Sequence, residues 1–470
     1  MMKTETKEGY LQIFIPLCAA NFCLFFSIVM SSYTASEYGH DTFRDLKFPN
    51  RTLSNSTDKS LCDTNTSSQG YKDEQIVQKT VARWNVYISI AQGVPLLLSS
   101  VLFSPLSDSI GRRPFLSLGA FGAGIKQLLM TLAIVFHWNV YLFIPFTLIE
   151  GLCGSWVAQL AVAMSVVSDL TTAGKSRSYL IAVLSFVLGV GFSLGTFVSG
   201  YVVVRLGYDY SMAISSGMSG LAFVIACFIP ETLSDSQRQS NRFSCMGNFK
   251  DILRFYTKND PEYPTSTRWK YNTAILSFIF IMMSKLGSFA IETFYLLNSP
   301  FCFNPETISI FETAKTCLSE IVILVGIKFM QQCITDETIA MFGAISSTCS
   351  LVLFGIASSD IYLYIAAAIG TLGMGSIPMI RGVMSKMTPP HKQGTLLAVQ
   401  HIVENICNLT GSVLGGAIYS ETVSFYRGTV YLVFAGFLFL AFILLIFLMK
   451  DSRRINTYLE KEHTITKPTN

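Results

Sequence analysis

Charge is what this sequence has least of. Asp, Glu, Lys and Arg together make up 14% of its 470 residues, against roughly 25% in an ordinary soluble domain. So little charge cannot solvate a compact chain of this length, which argues against a soluble enzyme or binding domain. The residue patterns of enzyme chemistry are missing too. No metal-ligand spacing, glycine-rich phosphate loop or nucleophile elbow occurs, so no enzymatic activity, metal, cofactor or nucleic-acid partner is expected. No cleavable leader is expected either, because the first apolar run is of spanning length and lacks a small-residue cleavage site.

What is present is hydrocarbon: 51% of residues are hydrophobic and 13% aromatic, and the mean hydropathy is +0.46. Apolar runs of about 20 residues, enough to cross a bilayer as a helix, centre on 11–33, 86–105, 115–136, 140–167, 179–204, 211–229, 273–297, 307–330, 338–358, 361–385, 395–418 and 428–449. An all-α membrane protein of about twelve transmembrane helices is expected, since a spanning chain must satisfy its backbone hydrogen bonds internally.

Six runs precede a basic polar segment and six follow it. The expected organisation is an N-terminal six-helix bundle (1–229) containing a long loop (34–84), a linker (230–271), a C-terminal six-helix bundle (272–450) and a tail (451–470). Two such halves joined by a basic linker are the sequence pattern of a parallel-repeat transporter. Short loops carrying Lys and Arg face the cytosol. With both termini inside, Arg112 and Arg113, Lys175 and Arg177, the linker, Lys386 and Lys392, and Lys450, Arg453 and Arg454 are cytosolic, while the opposite loops hold little beyond Arg205 and Arg427.

The loop at 34–84 is then external or lumenal, and it carries glycosylation sequons at Asn50, Asn55 and Asn65. A further sequon at Asn408 falls inside an apolar run and is set aside. Of the eleven cysteines, Cys62 and Cys302 fall in loops on the oxidising side, one per half. They form either a disulfide between the halves or two free thiols.

One polar break stands out between the second and third runs, SPLSDSIGRRP at residues 104–114. Asp108 can accept hydrogen bonds from a helix end, Gly111 permits a tight turn, and Arg112 and Arg113 supply cytosolic charge. The stretch resembles the signature of the major facilitator superfamily between its second and third helices, Gly-x-Leu-x-Asp-(Arg/Lys)-x-Gly-Arg-(Arg/Lys), with Ser104 in place of the first glycine and Ser109 in place of the basic residue. PETL at residues 230–233 also resembles that superfamily. The resemblance implies a major facilitator fold of two six-helix bundles, with Asp108, Gly111, Arg112 and Arg113 controlling the conformational cycle.

A narrower likeness covers nearly the whole chain. NSPFCFNPE (298–306), MIRGVMSKM (379–387), QGTLLAV (393–399) and GGAIYSETVSFYRG (415–428) are similar to solute carrier family 46, the proton-coupled folate transporter and its lysosomal relatives. That resemblance implies a bridge between Cys62 and Cys302 and a substrate-binding role for Arg381. It also exposes two departures. Ser185 stands where the folate transporter has its proton-coupling glutamate, and Ser155 where it uses an aspartate, so folate specificity is not expected.

Ionisable groups at membrane depth are expensive and mark function. Arg381 can grip a carboxylate with two parallel hydrogen bonds, and Lys285 and Glu292, seven residues apart on one helical face, are expected to line the cavity as a pair. Glu404 with His401, Glu150 and Glu320 are the candidate proton carriers. Glu312 and Lys315 are expected to neutralise each other. Gly370, Gly373, Gly375 and Pro378 suggest a bendable stretch beside Arg381.

The expected function is a secondary transporter, acting as a monomer in the lipid bilayer, of a small organic anion together with protons: a folate-like compound, a conjugated metabolite or a peptidoglycan fragment. Proton-driven efflux and a transport-dead receptor or scaffold are the alternatives. The compartment is the plasma membrane or the lysosomal membrane, with a candidate sorting sequence, YLQI, at Tyr10. If Cys62 and Cys302 are bridged, Cys62→Ser removes a mobility shift between reducing and non-reducing gels. An unchanged thiol count on reduction of the wild type would exclude the bridge.

Overall fold

The computed structural model describes residues 7–49, 69–171, 175–233, 265–387 and 393–465, and these contain helices but no strand. The helices are α1 (Lys7–Lys47), α2 (Gln69–Ile110), α3 (Arg112–Val135), α4 (Phe143–Leu152), α5 (Ser155–Leu170), α6 (Lys175–Leu206), α7 (Tyr208–Phe228), α8 (Thr265–Leu297), α9 (Pro305–Ile321), α10 (Ile327–Cys333), α11 (Asp336–Ile356), α12 (Asp360–Gly370), α13 (Ser376–Met387), α14 (Gln393–Thr422) and α15 (Thr429–Ile465). Among the described residues nine stretches are long and apolar enough to cross a membrane. With α2, the α9–α10 pair and α14, the expected twelve passes are accounted for.

Three of those passes are interrupted. Cys153 and Gly154 (φ 86°) separate α4 from α5, whose first residue Ser155 has φ 49°, a π-helical turn at Val322–Gly326 separates α9 from α10, and a 3-10 segment at Thr371–Gly375 separates α12 from α13. The glycine-rich sequence of that last segment lets the backbone tighten. Elsewhere local chemistry sets the boundaries. Asn304 caps α9 by accepting the Thr307 amide at 2.7 Å, with Pro305 preset for the first turn.

The two halves repeat one packing scheme. In the first, α1 lies against α6 and α7, and α3 against α5 and α7. In the second, α8 lies against α14 and α15, and α11 against α12, α13 and α15. The halves meet along two seams, α2 with α14 and α6 with α9.

The expected loop at 34–84 is a correction. α1 continues to Lys47 and α2 begins at Gln69, because a polar cluster holds the two extensions together outside the apolar runs. His40, 2% exposed, meets Glu74 at 2.8 Å; Arg44 reaches Asp41 at 3.3 Å and Glu74 at 3.6 Å; and Tyr208 donates to Asp41 at 2.6 Å. Phe43 stacks edge-on to Trp84 behind it. Asn50, Asn55, Cys62 and Asn65 lie outside the described residues, as does most of the linker.

The apolar core shows where the halves are joined. At the end of the bundle that carries this cluster, called here the loop end, one continuous core takes in Tyr33, Trp84 and Phe143 from the first half and Tyr295, Phe311 and Tyr431 from the second. At the opposite end, which carries the chain termini, the cores are separate: Ile13, Leu116 and Val166 centre one, Phe278, Ile380 and Leu438 the other. Hydrogen bonds close the seam at the loop end, from Tyr33 to the Pro305 carbonyl at 2.5 Å, Gln75 to Asn298 at 3.0 Å and Asn85 to the Ala290 carbonyl at 3.1 Å.

Outermost on this seam, Glu421 accepts from Arg83 at 2.7 Å and Lys79 at 3.1 Å. Arg83 first and Lys79 second hold its carboxyl below the usual carboxylate range. A carboxyl with a depressed value contributes fully above its ordinary pKa, and the contribution is lost as pH falls through the lowered value. Loop-end closure should therefore be unchanged between about pH 7 and about pH 5 and weaken only below the ordinary carboxylate range. Hydrogen exchange of residues 79–86 and 415–422, corrected for intrinsic rates, is the readout. Glu421→Gln is expected to raise exchange there at neutral pH as well.

Candidate functional site

Among the described residues, the first half holds a deeply buried ion pair. Lys126 of α3 meets Glu150 of α4 at 2.7 Å, and the two side chains are 7% and 0% exposed. Gln92 donates to the same Glu150 oxygen at 2.9 Å. The break after α4 turns the Ser155 hydroxyl back onto the other oxygen at 2.8 Å. Glu150, expected to carry a proton, is thus held by a lysine and two neutral donors. Sequence reasoning missed Lys126, although a lone lysine within the apolar run of α3 was itself a signal.

In the second half Arg381 does not stand free. Its guanidinium meets Glu404 of α14 at 2.7 Å and lies over the Phe278 ring with 5.5 Å to the centroid. His401, one turn before Glu404, approaches the same carboxylate oxygen at 3.6 Å. The His401–Glu404 neighbourhood inferred from their spacing is present, with Arg381 as its third member, and the Nε of Arg381 is buried without a hydrogen-bond partner among the described residues.

The expected Lys285–Glu292 pair is not made. Seven residues on one helix put them roughly 10 Å apart along the axis, whereas Lys315 on α9 reaches Glu292 directly. Lys315 therefore serves Glu292 instead of the expected Glu312, which lies one turn before it on α9 and is buried. Lys285 donates to the Met374 sulfur at 3.0 Å, within the 3-10 segment, and forms no ion pair among the described residues. Glu320 packs against Gly189 of α6, where an added Cβ would sit 3.0 Å from its carboxylate; it too has no ion pair among the described residues. Three pairs thus absorb Lys126, Lys315 and Arg381; among the described residues at membrane depth in the second half, Lys285 is left as a cation and Glu312 and Glu320 as carboxyls without an ion pair.

The polar turn at residues 104–114 forms a tight network at the terminal end. The Glu231 carboxylate accepts the backbone amides of Arg112 at 2.8 Å and Arg113 at 3.1 Å, so it caps the start of α3 and sits at the positive end of the helix dipole. Gly111 (φ 132°) allows this approach, because a Cβ there would collide with Glu231. Arg112 further reaches Asp169 at 3.1 Å and Ser107 at 2.8 Å. The capping role expected of a carboxylate in the turn is filled by Glu231, from PETL; the Asp108 side chain lies outside the described residues.

Twelve passes in two packing repeats, with polar groups between the halves, define a multi-pass membrane protein with the architecture of a transporter. Residues 13–301 match the family model described as Major Facilitator Superfamily, and the chain belongs to that family. It is 26% identical over 394 residues to the lysosomal proton-coupled steroid conjugate and bile acid symporter of Homo sapiens, covering 83% of this chain and 85% of that protein. Its likeness to the proton-coupled folate transporter of Bos taurus is 24% over 380 residues, covering 80% and 81%. Among solved structures, the human organic anion transporter TETRAN superposes with a TM-score of 0.60 at 15% identity, covering 95% of this chain and all of that one. The xylose transporter XylE of E. coli, in a partially occluded inward-open conformation, gives 0.62 at 11%, covering 93% and 97%. These structures share the fold.

Removing one partner of a buried pair strands the other charge, typically at a cost of about 3 to 5 kcal/mol. Lys126→Met is expected to lower the thermal unfolding temperature of the detergent-solubilised protein sharply, and Lys126→Met with Glu150→Gln to recover much of the loss. A double variant as unstable as the single one would show that Lys126 acts through packing alone.

Proposed function

We propose that the chain is a proton-coupled symporter of an amphipathic organic anion of the conjugated-metabolite kind. Lys285 is the observation that carries this reading. An ammonium held in a membrane-spanning helix without a carboxylate is costly, and an incoming sulfate or carboxylate supplies the missing counter-charge. Phe289, one turn along α8 and packed against Phe192 of α6 across the seam at 5.8 Å, offers an apolar surface beside that charge. Substrate therefore reaches both halves at once, as alternating access between two bundles requires.

Arg381 is the second cation, about 10 Å nearer the terminal end, since it follows Met374 by seven residues along a helical path. Protonation of Glu404, with His401 beside it, would release Arg381 to the anion and link proton and substrate. Glu292 holds Lys315 away from the substrate, while Glu150 and Glu320 are the other expected proton carriers. Asp108, Gly111, Arg112 and Arg113 belong to the gate at the terminal end, where Glu231 and Asp169 anchor the turn. With both termini cytosolic, the joined core at the loop end corresponds to a state closed toward the outside or the lumen. Glycans at Asn50, Asn55 and Asn65 and a Cys62–Cys302 bridge belong to that face. The membrane in this reading is the cell surface or the lysosome, and the protein works as a monomer.

The experiment is uptake of a radiolabelled steroid sulfate into proteoliposomes, with and without an inward proton gradient. Wild-type uptake is expected to rise with the gradient. Lys285→Met should lower apparent affinity for the sulfate by about tenfold or more, the loss of one charge-assisted contact, and leave binding of the neutral parent steroid unchanged. Equal loss of both would mean that Lys285 only positions α8, and binding without uptake would identify a receptor.

A further inference from the structure

The second half contains a four-member charge set at the seam: Glu292 and Lys285 on α8, Glu312 and Lys315 on α9. Lys315 is joined to Glu292. Glu312, 6% exposed, feels the charges of Glu292 and Lys315, and Lys285 feels that of Lys315. With all four ionised the set is neutral, but its two unpaired members, Glu312 and Lys285, form no ion pair with each other among the described residues. An anion seated on Lys285 takes that cation out of the balance. Two carboxylates then share the single ammonium of Lys315, and a net negative charge is left where desolvation makes it expensive.

We propose that Glu312 is the carboxyl that takes up a proton when an anion occupies Lys285, so that proton and anion binding are coupled through the electroneutrality of this set. A proton from water adds to a carboxylate oxygen of Glu312 on anion arrival and leaves when the anion departs, with no other bond made or broken. This deepens the symport reading and rests on it for the identity of the ligand.

The surroundings of Glu312 support the assignment. From α15, the buried Tyr431 hydroxyl lies in the field of Glu292 and Glu312 and has no hydrogen-bond partner among the described residues, so a donor is present beside the carboxyl pair. From α1, Tyr33 lies in the field of Glu312 and Glu37 and spends its hydroxyl on the Pro305 carbonyl. From α12, Tyr364 stacks edge-on to Phe311 at 5.3 Å. α6 brings no charged group here; its Ser193 carbonyl accepts from Thr313 at 3.3 Å. Glu312 thus sits beside the residue by which α9 bonds across the α6 seam, where a change of charge can act on the fit between the halves. Of the proton carriers expected from sequence, Glu150 and Glu404 are already neutralised by Lys126 and Arg381, and Glu320 stands apart from this set, two helical turns further along α9 against Gly189 of α6.

Lys285→Met reproduces the charge balance of the occupied state without any ligand, which makes the proposal testable on the unliganded full-length protein. Infrared difference spectra of the solubilised protein at neutral pH should show a protonated carboxylic acid C=O band in Lys285→Met that the wild type lacks. Lys285→Met with Glu312→Gln should abolish it. Lys285→Met with Glu292→Gln should abolish it too, because Lys315 is then left to Glu312 alone; this second double variant serves if the first does not fold. In the wild type, addition of a steroid sulfate should draw a proton from weakly buffered solution, and Glu312→Gln should bind the sulfate without doing so. No new band in Lys285→Met, or a band that survives Glu312→Gln, overturns the assignment. A new band in a protein that fails to transport any steroid sulfate would leave the Glu312 assignment standing and defeat the symport reading, so the two failures are separable.

Discussion

The charged groups at membrane depth answer to one constraint: a charge there must be met by an opposite one within the protein, because hydrocarbon will not solvate it. Lys126 with Glu150, Lys315 with Glu292 and Arg381 with Glu404 are three answers to that constraint. The first is purely internal to one half and fully buried. The third is partly open, with 34% and 27% of the side chains exposed, and is flanked by a histidine. The second leaves remainders, Lys285 and Glu312. It is the incomplete answer that suits a transporter, since a site with every charge satisfied has nothing to offer an ion.

Helix geometry follows the charges. The α4–α5 break returns the Ser155 hydroxyl to Glu150, the π-helical turn begins two residues after Glu320, and the 3-10 segment delivers Met374 to Lys285. Irregular backbone at membrane depth is tolerated where neighbouring helices cover it. Among the described residues, the aromatic core shared at the loop end and the separate cores at the other end set these sites between an end where the halves share one apolar core and an end where their apolar cores stay apart.

Much of the fold was legible from sequence because its signals are local and additive. Twelve apolar runs, a basic middle and the 104–114 turn are each readable without knowing any partner. The site was legible only as a list of residue types. Arg381, Lys285, Glu292, Glu404 and His401 were identified because ionisable residues are rare in apolar runs, but their pairing was misjudged wherever it crossed from one helix to another. Lys285 and Glu292 share a face of α8 and look like a pair in sequence, yet Lys315 on α9 is the nearer partner. Glu231 and Asp169, distant in sequence from Arg112, were likewise invisible as its anchors. The extensions of α1 and α2 beyond the apolar runs were missed because a polar segment reads as loop until His40 and Glu74 are seen to face each other.

The sequence by itself determined the class of this protein, the number of its membrane passes, its division into halves and the inventory of groups able to carry charge. Those properties follow from composition and from periodicities within single segments. Tertiary structure alone decided which charge neutralises which, and therefore which cation and which carboxyls remain available for chemistry. The physical reason is that Coulomb energy in a low-dielectric interior depends on distances of a few ångströms between side chains on different helices, and those distances are set by packing rather than by spacing along the chain.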